Sequence, residues 1–117
     1  MGFNLPDIKF TTGVPLSNQQ HYLLSLWCEL KRNKGYQPSI REVSRLARVN
    51  MNSTKEAFYA IYGKGYLMKG PMKTCRTYSL NCVAVRFCRI ETGEVFWGFG
   101  ASEKEAMRSI VDRQGAL

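Results

Sequence analysis

Histidine and acidic residues, from which many enzyme centres are built, are scarce in this sequence. Its 117 residues include one histidine, His21, and nine Asp and Glu residues. The glycine-rich phosphate loop and the dinucleotide, serine-hydrolase and H-E-x-x-H zinc motifs are missing. A nucleophilic cysteine would need a neighbouring base, and a lone histidine early in a predicted helix is a poor candidate. We therefore expect no enzyme activity and no catalytic residue.

Long apolar runs and closely spaced cysteine pairs are missing as well. No stretch approaches the ~18 consecutive apolar residues of a membrane-spanning helix, and the N-terminus lacks a signal-peptide layout. We therefore expect a cytoplasmic protein without a membrane partner. No two cysteines form a C-x-x-C pair, so we expect reduced thiols and neither a metal site nor another cofactor. The four cysteines are Cys28, Cys75, Cys82 and Cys88.

Acidic residues are outnumbered in one part of the chain only. Residues 1–80 contain 12 Lys and Arg against 4 Asp and Glu, whereas residues 81–117 contain 5 of each kind. The whole net charge of +8 therefore lies in the first 80 residues. Such a distribution is the electrostatic footprint of a surface that binds a polyanion, and it favours nucleic acid as a partner.

Apolar periodicity and turn residues predict an α+β protein in three parts. Residues 1–16 form an arm interrupted by proline and glycine, and residues 17–80 form a helix-rich domain. Residues 81–117 form a β-hairpin followed by a helix. The first predicted helix begins after Ser17 as N-cap and ends at Gly35. An apolar stripe at i, i+3, i+4 and i+7 marks its buried face: Leu23, Leu26, Trp27 and Leu30.

Two shorter helices follow, separated by a tight break. Ser39 and Glu42 form a capping-box pattern at the start of the first. The second is predicted from about Ser53 to Tyr62, ahead of Gly63. The apolar stripes predicted to face the core are Ile40, Val43, Leu46 and Ala47 in the first helix and Ala57, Phe58, Ile61 and Tyr62 in the second. Two short helices with a tight turn are typical of a helix-turn-helix.

Alternating residues after the third helix predict a hairpin, with strands at 66–69 and 74–80 around turn residues 70–73. Three helices and then a hairpin are the order of a winged helix-turn-helix. The span from Leu16 to Leu80 resembles the DNA-binding domain of the LexA repressor family. The likeness rests on three segments in the family's order: LSNQQHYLLSLWCEL, GYQPSIREVSRLARV and MNSTKEAFYAIYGKGYLMK.

The chain departs from the LexA pattern in two ways. Arg48 occupies the turn position where the family usually has glycine. The 37 residues after Leu80 are too few for the family's self-cleaving domain, so no self-cleavage is implied. The resemblance implies base-reading residues at the start of the third helix, and we add the outward-facing Tyr59. The base-reading set is Asn50, Asn52, Ser53, Lys55, Glu56 and Tyr59. The cations expected to grip the DNA backbone are Arg41, Arg45, Arg48, Lys64, Lys69, Lys73 and Arg76.

The C-terminal part, residues 81–117, has a neutral balance and an apolar hairpin face. A unit of two strands and one helix is too small to fold alone, so it should lie against the helical domain or pair with a second chain. Its helix is predicted from Ser102 to about Arg113, with Ala106, Met107, Ile110 and Val111 inward. Phe96 and Trp97 point to opposite hairpin faces and are candidate interface residues, unless both are covered within the chain. The unit also distantly resembles the DNA-binding domains of phage integrase arms, which its neutral charge argues against.

The sequence therefore favours a small bacterial, phage or plasmid regulator of transcription or replication, such as a repressor. It would bind double-stranded DNA sequence-specifically, with a homodimer and a nucleoid-associated location as further expectations. The alternative is a phage-type module that inhibits or redirects a host protein, which the apolar arm and the C-terminal aromatics favour. A third reading is an RNA-binding regulator that stacks bases on Tyr59, Tyr62 and Tyr66, although such tyrosines are more often core residues.

Overall fold

The computed structural model describes residues 14–70 and 78–114. Within them it has an α+β fold of four helices and two antiparallel strand pairs. The helices are α1 (Asn18–Lys34), α2 (Ile40–Ala47), α3 (Met51–Gly63) and α4 (Glu103–Gln114). The strands are β1 (Leu67–Lys69), β2 (Tyr78–Leu80), β3 (Val83–Cys88) and β4 (Val95–Gly100), with β1 paired to β2 and β3 paired to β4. We call α1–α3 with β1 and β2 the helical unit, and β3, β4 and α4 the hairpin–helix unit.

Side-chain caps set the helix ends in the helical unit. Ser17 is the N-cap of α1, Ser39 forms the capping box of α2 and Gly35 ends α1, as the sequence predicted. Ser17 also forms a capping box with Gln20, which was not predicted, and Gly35 lies in the left-handed region at φ 79°. The third helix begins two residues earlier than predicted. Asn50 is its N-cap, because its Oδ1 accepts the backbone N–H of Ser53 at 2.8 Å.

The main hydrophobic core is built around α1. Leu23 and Trp27 of α1 are fully buried with Phe58 of α3, and Val43 brings α2 into the same cluster. The stripe predicted for α2 was wrong at Leu46, which is 56% exposed. The inward positions are 40, 43, 44 and 47, which follow the i, i+3, i+4, i+7 pattern and bury a serine instead.

In the hairpin–helix unit, α4 lies directly on β4. A Cβ atom added to Gly98 would meet the carbonyl oxygen of Ala106 and lie 2.6 Å from Cγ1 of Ile110. Ala106 and Ile110 are buried, as predicted for the inner stripe of α4. Met107 and Val111, predicted for the same stripe, are 42% and 45% exposed. A two-stranded sheet is too narrow to cover both rows of the helix.

One carboxylate joins the two units. Glu29 of α1 accepts two hydrogen bonds from the Arg86 guanidinium, both at 3.0 Å, and one from Trp97 Nε1 at 2.9 Å. The Arg86 hydrogen bonds are the main cause that lowers the pKa of Glu29, and the Trp97 bond adds to it. Phe99 of β4 is buried in the core cluster of the helical unit. The hairpin–helix unit therefore lies against α1 of its own chain.

Candidate nucleic-acid interface

The turn between α2 and α3 is three residues long and strained at its first position. Arg48 has φ 58° and ψ 40°, the only positive φ outside glycine within residues 14–70 and 78–114. A side chain in this left-handed region costs about 1–2 kcal/mol. The turn is held by two contacts: Val49 donates its N–H to the Ser44 carbonyl at 3.1 Å, and Thr54 Oγ1 donates to the Asn50 carbonyl at 3.0 Å. The Val49 bond ties the turn to the end of α2, and the Thr54 bond closes the first turn of α3.

The outer face of α3 carries a polar stripe about two helical turns long. Its exposed members lie at i, i+3, i+4 and i+7: Asn52, Lys55, Glu56 and Tyr59. The opposite face is buried through Ala57, Phe58 and Ile61. Of the other two predicted base-reading residues, Ser53 is half-buried and Asn50 is exposed with its side-chain oxygen in use as a cap. The Asn50 amide group still offers two donors.

The predicted backbone-gripping cations fall into four groups. Arg41 and Arg45 are exposed at i and i+4 on one face of α2, and Arg48 is exposed in the turn that follows. Lys64 lies at the other end of α3, where its Nζ donates to the Pro15 carbonyl at 3.0 Å and to Gln20 Oε1 at 2.7 Å. No local pattern indicated these distant acceptors. Lys73 and Arg76 lie outside the described residues, as do Cys75 and most of the predicted arm.

The remaining cation, Lys69, forms a cluster that sequence reasoning missed. Its Nζ lies 4.9 Å from the ring centroid of Tyr59 and 4.7 Å from that of Tyr62. The two tyrosine rings are themselves 6.1 Å apart. The i, i+3 spacing of the tyrosines was a visible signal, but nothing local linked them to β1. Two cation–π contacts hold the Lys69 ammonium beside the exposed stripe of α3.

A cavity of about 480 Å³ opens between α2, α3 and the β1–β2 pair. The residues that line it come from all four elements: Ile40, Lys55, Glu56, Tyr59, Ala60, Lys69 and Tyr78. Tyr78 is buried, and its ring packs 5.8 Å from that of Phe58 in the core. The cavity therefore has a rigid floor and a mouth that shares Lys55 and Tyr59 with the polar stripe of α3.

Two of the described cysteines are poor nucleophiles. Burial raises the pKa of the Cys28 thiol, and it raises the pKa of Cys82 to about 12. Because the thiolate is the reactive form, both stay protonated at neutral pH. Within residues 14–70 and 78–114, no three His, Cys, Asp or Glu side chains gather as a metal ion would require. No helix in the same residues is both long and apolar enough to cross a membrane.

The predicted interface aromatics lie on different faces of the β3–β4 hairpin. Trp97 faces α1 and donates to Glu29, so its indole is occupied within the chain. Phe96 pairs with Phe87 across the strands on the face that α4 covers, with ring centroids 6.2 Å apart, and the Arg89 guanidinium lies 5.6 Å from the Phe96 ring. Phe87 is 38% exposed, so the hairpin presents apolar surface to solvent at this point.

No protein-family model matches the chain, and no curated protein sequence matches it.

Proposed function

We propose that this chain binds double-stranded DNA through α2, the three-residue turn and α3. It would act as a small winged helix-turn-helix regulator, in keeping with its resemblance to the DNA-binding domain of the LexA repressor family. The observation that carries the proposal is the polar stripe of α3. A helix exposes Asn52, Lys55 and Glu56 along one face while its other face is anchored in the core. A major groove admits one such helix, and these side chains offer the donors and acceptors that read base edges.

Cations on the neighbouring elements also favour DNA binding by this surface. Arg41, Arg45 and Arg48 flank the turn, and Lys69 stands beside Tyr59 on the side of β1. Four cations here would release counterions from phosphates and give salt-dependent affinity. The nearby carboxylate of Glu42 is engaged, because the Ser39 N–H binds it at 2.9 Å and lowers its pKa. In this proposal β1, β2 and the turn between them act as the wing.

A fluorescence-anisotropy titration with a labelled random duplex tests the proposal. We expect micromolar binding at low salt that weakens steeply as salt rises. Arg45→Ala should weaken binding to every duplex. It should also make the negative slope of log affinity against log salt shallower by about 0.9. Lys104→Ala, which removes an exposed cation from α4, is the matched control and should leave the slope unchanged. Absence of binding even at low salt would contradict the DNA-binding function.

For the homodimer, we propose the outer surface of α4 as the contact. Met107 and Val111 are partly exposed on α4, and the exposed Arg108 and Asp112 lie one turn apart beside them. Two antiparallel copies of α4 related by a two-fold axis would place each Arg108 opposite the partner's Asp112. A dimer would let two α3 helices read the two halves of a palindromic site.

A charge exchange tests this contact. Arg108→Asp and Asp112→Arg each put like charges across the two-fold axis, so each variant alone should sediment as a monomer. An equimolar mixture should form a heterodimer, because every facing pair is then opposite in sign. A wild-type chain that stays monomeric at tens of micromolar, or variants that remain dimers alone, would contradict the proposed contact.

The second candidate function is a module that binds a host protein. It is favoured by the apolar side chains that α4 and the β3–β4 hairpin expose, which are Phe87, Met107 and Val111. Binding to a partner that changes little with salt, together with weak binding to duplex, would favour it. The RNA-binding reading has less support, because Tyr66 is buried and Tyr62 half-buried, which leaves Tyr59 as the exposed stacking ring.

A further inference from the structure

The cavity between α2, α3 and the β1–β2 pair has the size and chemistry of a small-molecule site. Its volume of about 480 Å³ is in the range of pockets that enclose a drug-sized ligand. Ile40, Ala60 and the buried Tyr78 supply an apolar and aromatic lining. The Tyr59 ring, 62% exposed, stands at the mouth, where a planar ligand could stack on it.

The charges at this cavity favour an anion. Lys55 and Lys69 both line it, against the single carboxylate of Glu56. Neither lysine forms an ion pair with any carboxylate among the described residues. The Lys69 ammonium is instead placed by the rings of Tyr59 and Tyr62, at 4.9 and 4.7 Å, so it is oriented before any ligand arrives. A neutral ligand would leave this oriented charge unused, and a cation would be repelled.

We propose that this cavity binds a small planar aromatic anion, with the ring system between Tyr59 and Tyr78 and the anionic group at Lys69 and Lys55. Such a molecule buries its rings on the apolar lining and places its charge at the two ammonium groups. The site borders the core through Tyr78 and shares no residue with the junction at Glu29.

The same molecule would control DNA binding, an extension that rests on the proposed function. Lys55 and Tyr59 belong both to the cavity and to the exposed stripe of α3. An occupied cavity would neutralise Lys55 and cover Tyr59, so ligand and duplex would exclude each other. By linkage, duplex would lower the affinity for the ligand by the same factor.

Binding is tested with 1-anilinonaphthalene-8-sulfonate, an aromatic sulfonate that fluoresces when its rings leave water. We expect saturable fluorescence with the folded protein. Lys69→Gln should weaken the affinity about fivefold, the effect of one partly exposed charge. Ala60→Trp, which fills the cavity, should abolish saturable binding, with circular dichroism confirming that the variant is folded. Lys104→Gln makes the same change at an exposed lysine of α4, away from the cavity, and should leave the affinity unchanged. Equal affinity in wild type, Lys69→Gln and folded Ala60→Trp would overturn the site.

Competition is tested by adding the sulfonate to protein bound to a labelled random duplex. We expect the anisotropy to fall to the value of free duplex at the concentration that saturates the fluorescence. Duplex that stays bound to a saturated protein would overturn the regulatory extension but not the ligand site. Fluorescence that depends on Lys69 in a protein without duplex affinity would contradict the proposed DNA-binding function but not the ligand site. Duplex binding without Lys69-dependent fluorescence would overturn the ligand site but not the proposed DNA-binding function.

Discussion

The helical unit and the hairpin–helix unit are stabilised in different ways. The helical unit has a continuous core around α1, and most of its described cations are exposed to solvent, Arg41, Arg45 and Arg48 among them. The hairpin–helix unit is thin. It depends on the close approach of α4 to Gly98 and Gly100 and on the bonds of Glu29. Surface charge that is not needed for folding is available for a ligand, which is why the helical unit is the better candidate for binding DNA.

The largest expected effect is the loss of stability when a glycine of the hairpin–helix unit is replaced by alanine, compared with the same replacement in the helical unit. Gly98→Ala should destabilise the chain by about 3 kcal/mol or more, because the new methyl would meet the Ala106 carbonyl and α4 would have to move. Gly63→Ala at the end of α3 is the matched control. No atom lies within 4 Å of its added Cβ, so stability should stay equal or rise slightly.

Urea unfolding followed by circular dichroism measures both glycine variants. Hydrogen exchange then locates the change, which we expect in β3, β4 and α4 before the helical unit. Equal stability of Gly98→Ala and Gly63→Ala would contradict the tight contact between α4 and β4.

The second effect separates the units by function. Lys55→Ala should lower the preference for a selected cognate site over random duplex by about 1–3 kcal/mol if Lys55 contacts a base. Lys104→Ala removes an equally exposed lysine from α4 and should leave that preference unchanged. Anisotropy titrations on both duplexes give the ratio. An equal loss on cognate and random duplex would mean that Lys55 contacts the backbone instead. Lys73→Ala, at a position outside the described residues, should weaken both duplexes alike and flatten the salt dependence.

The third effect breaks the junction between the units. Glu29→Gln keeps an acceptor for Trp97 but removes the charge that Arg86 binds, so we expect a loss of about 1–2 kcal/mol at neutral pH. Glu91→Gln, at an exposed turn position, is the control. Urea unfolding gives both values, and equal stability of the two variants would show that the junction does not depend on the charge.

The Glu29 contribution should also depend on pH. The folded pKa of Glu29 is lowered, so the unfolded chain takes up the proton first as the pH falls. The stabilisation is therefore complete above the ordinary carboxyl pKa of about 4.3 and is lost as the pH falls below it toward the lowered folded value. The stability gap between wild type and Glu29→Gln should close in that window. A gap that stays constant as the pH falls through it would contradict the pairing.

The smallest effect lies at the turn of the helical unit. Arg48→Gly relieves the left-handed strain, partly offset by the greater freedom of glycine in the unfolded chain, so stability should rise by about 0.5–1 kcal/mol. Affinity for random duplex should fall, because one cation is lost. Arg48→Ala loses the same cation and keeps the strain. Thermal unfolding compares the two variants, and equal midpoints would contradict the strained turn.

Local signals in the sequence predicted most elements. The serine caps, Gly35 and the apolar stripe around Trp27 fixed α1, and α2 followed from Ser39 and Glu42. Predictions failed where the outcome depended on neighbours: Leu46 has the chemistry of a core residue but lies off the side of α2 that meets α1 and α3.

The candidate site shows the same limit. The polar stripe of α3 follows from helical spacing alone, and its exposure matches that spacing. The hydrogen bond from Lys64 to Gln20 and the Glu29 junction join residues far apart in the chain. Lys69 is nearer to its two tyrosines in sequence but lies on a different element. No local pattern encodes such pairs, because they depend on how the elements pack.

The burial of Phe99 has a consequence for how the chain folds during synthesis. The core around α1 is completed by a side chain that leaves the ribosome about seventy residues after Trp27, some seconds later at ordinary elongation rates. Until then, Glu29 and the apolar surface beside it are open to water and to other chains. A fragment that stops after β2 would keep that surface open permanently. It should therefore aggregate or recruit chaperones more readily than the whole chain.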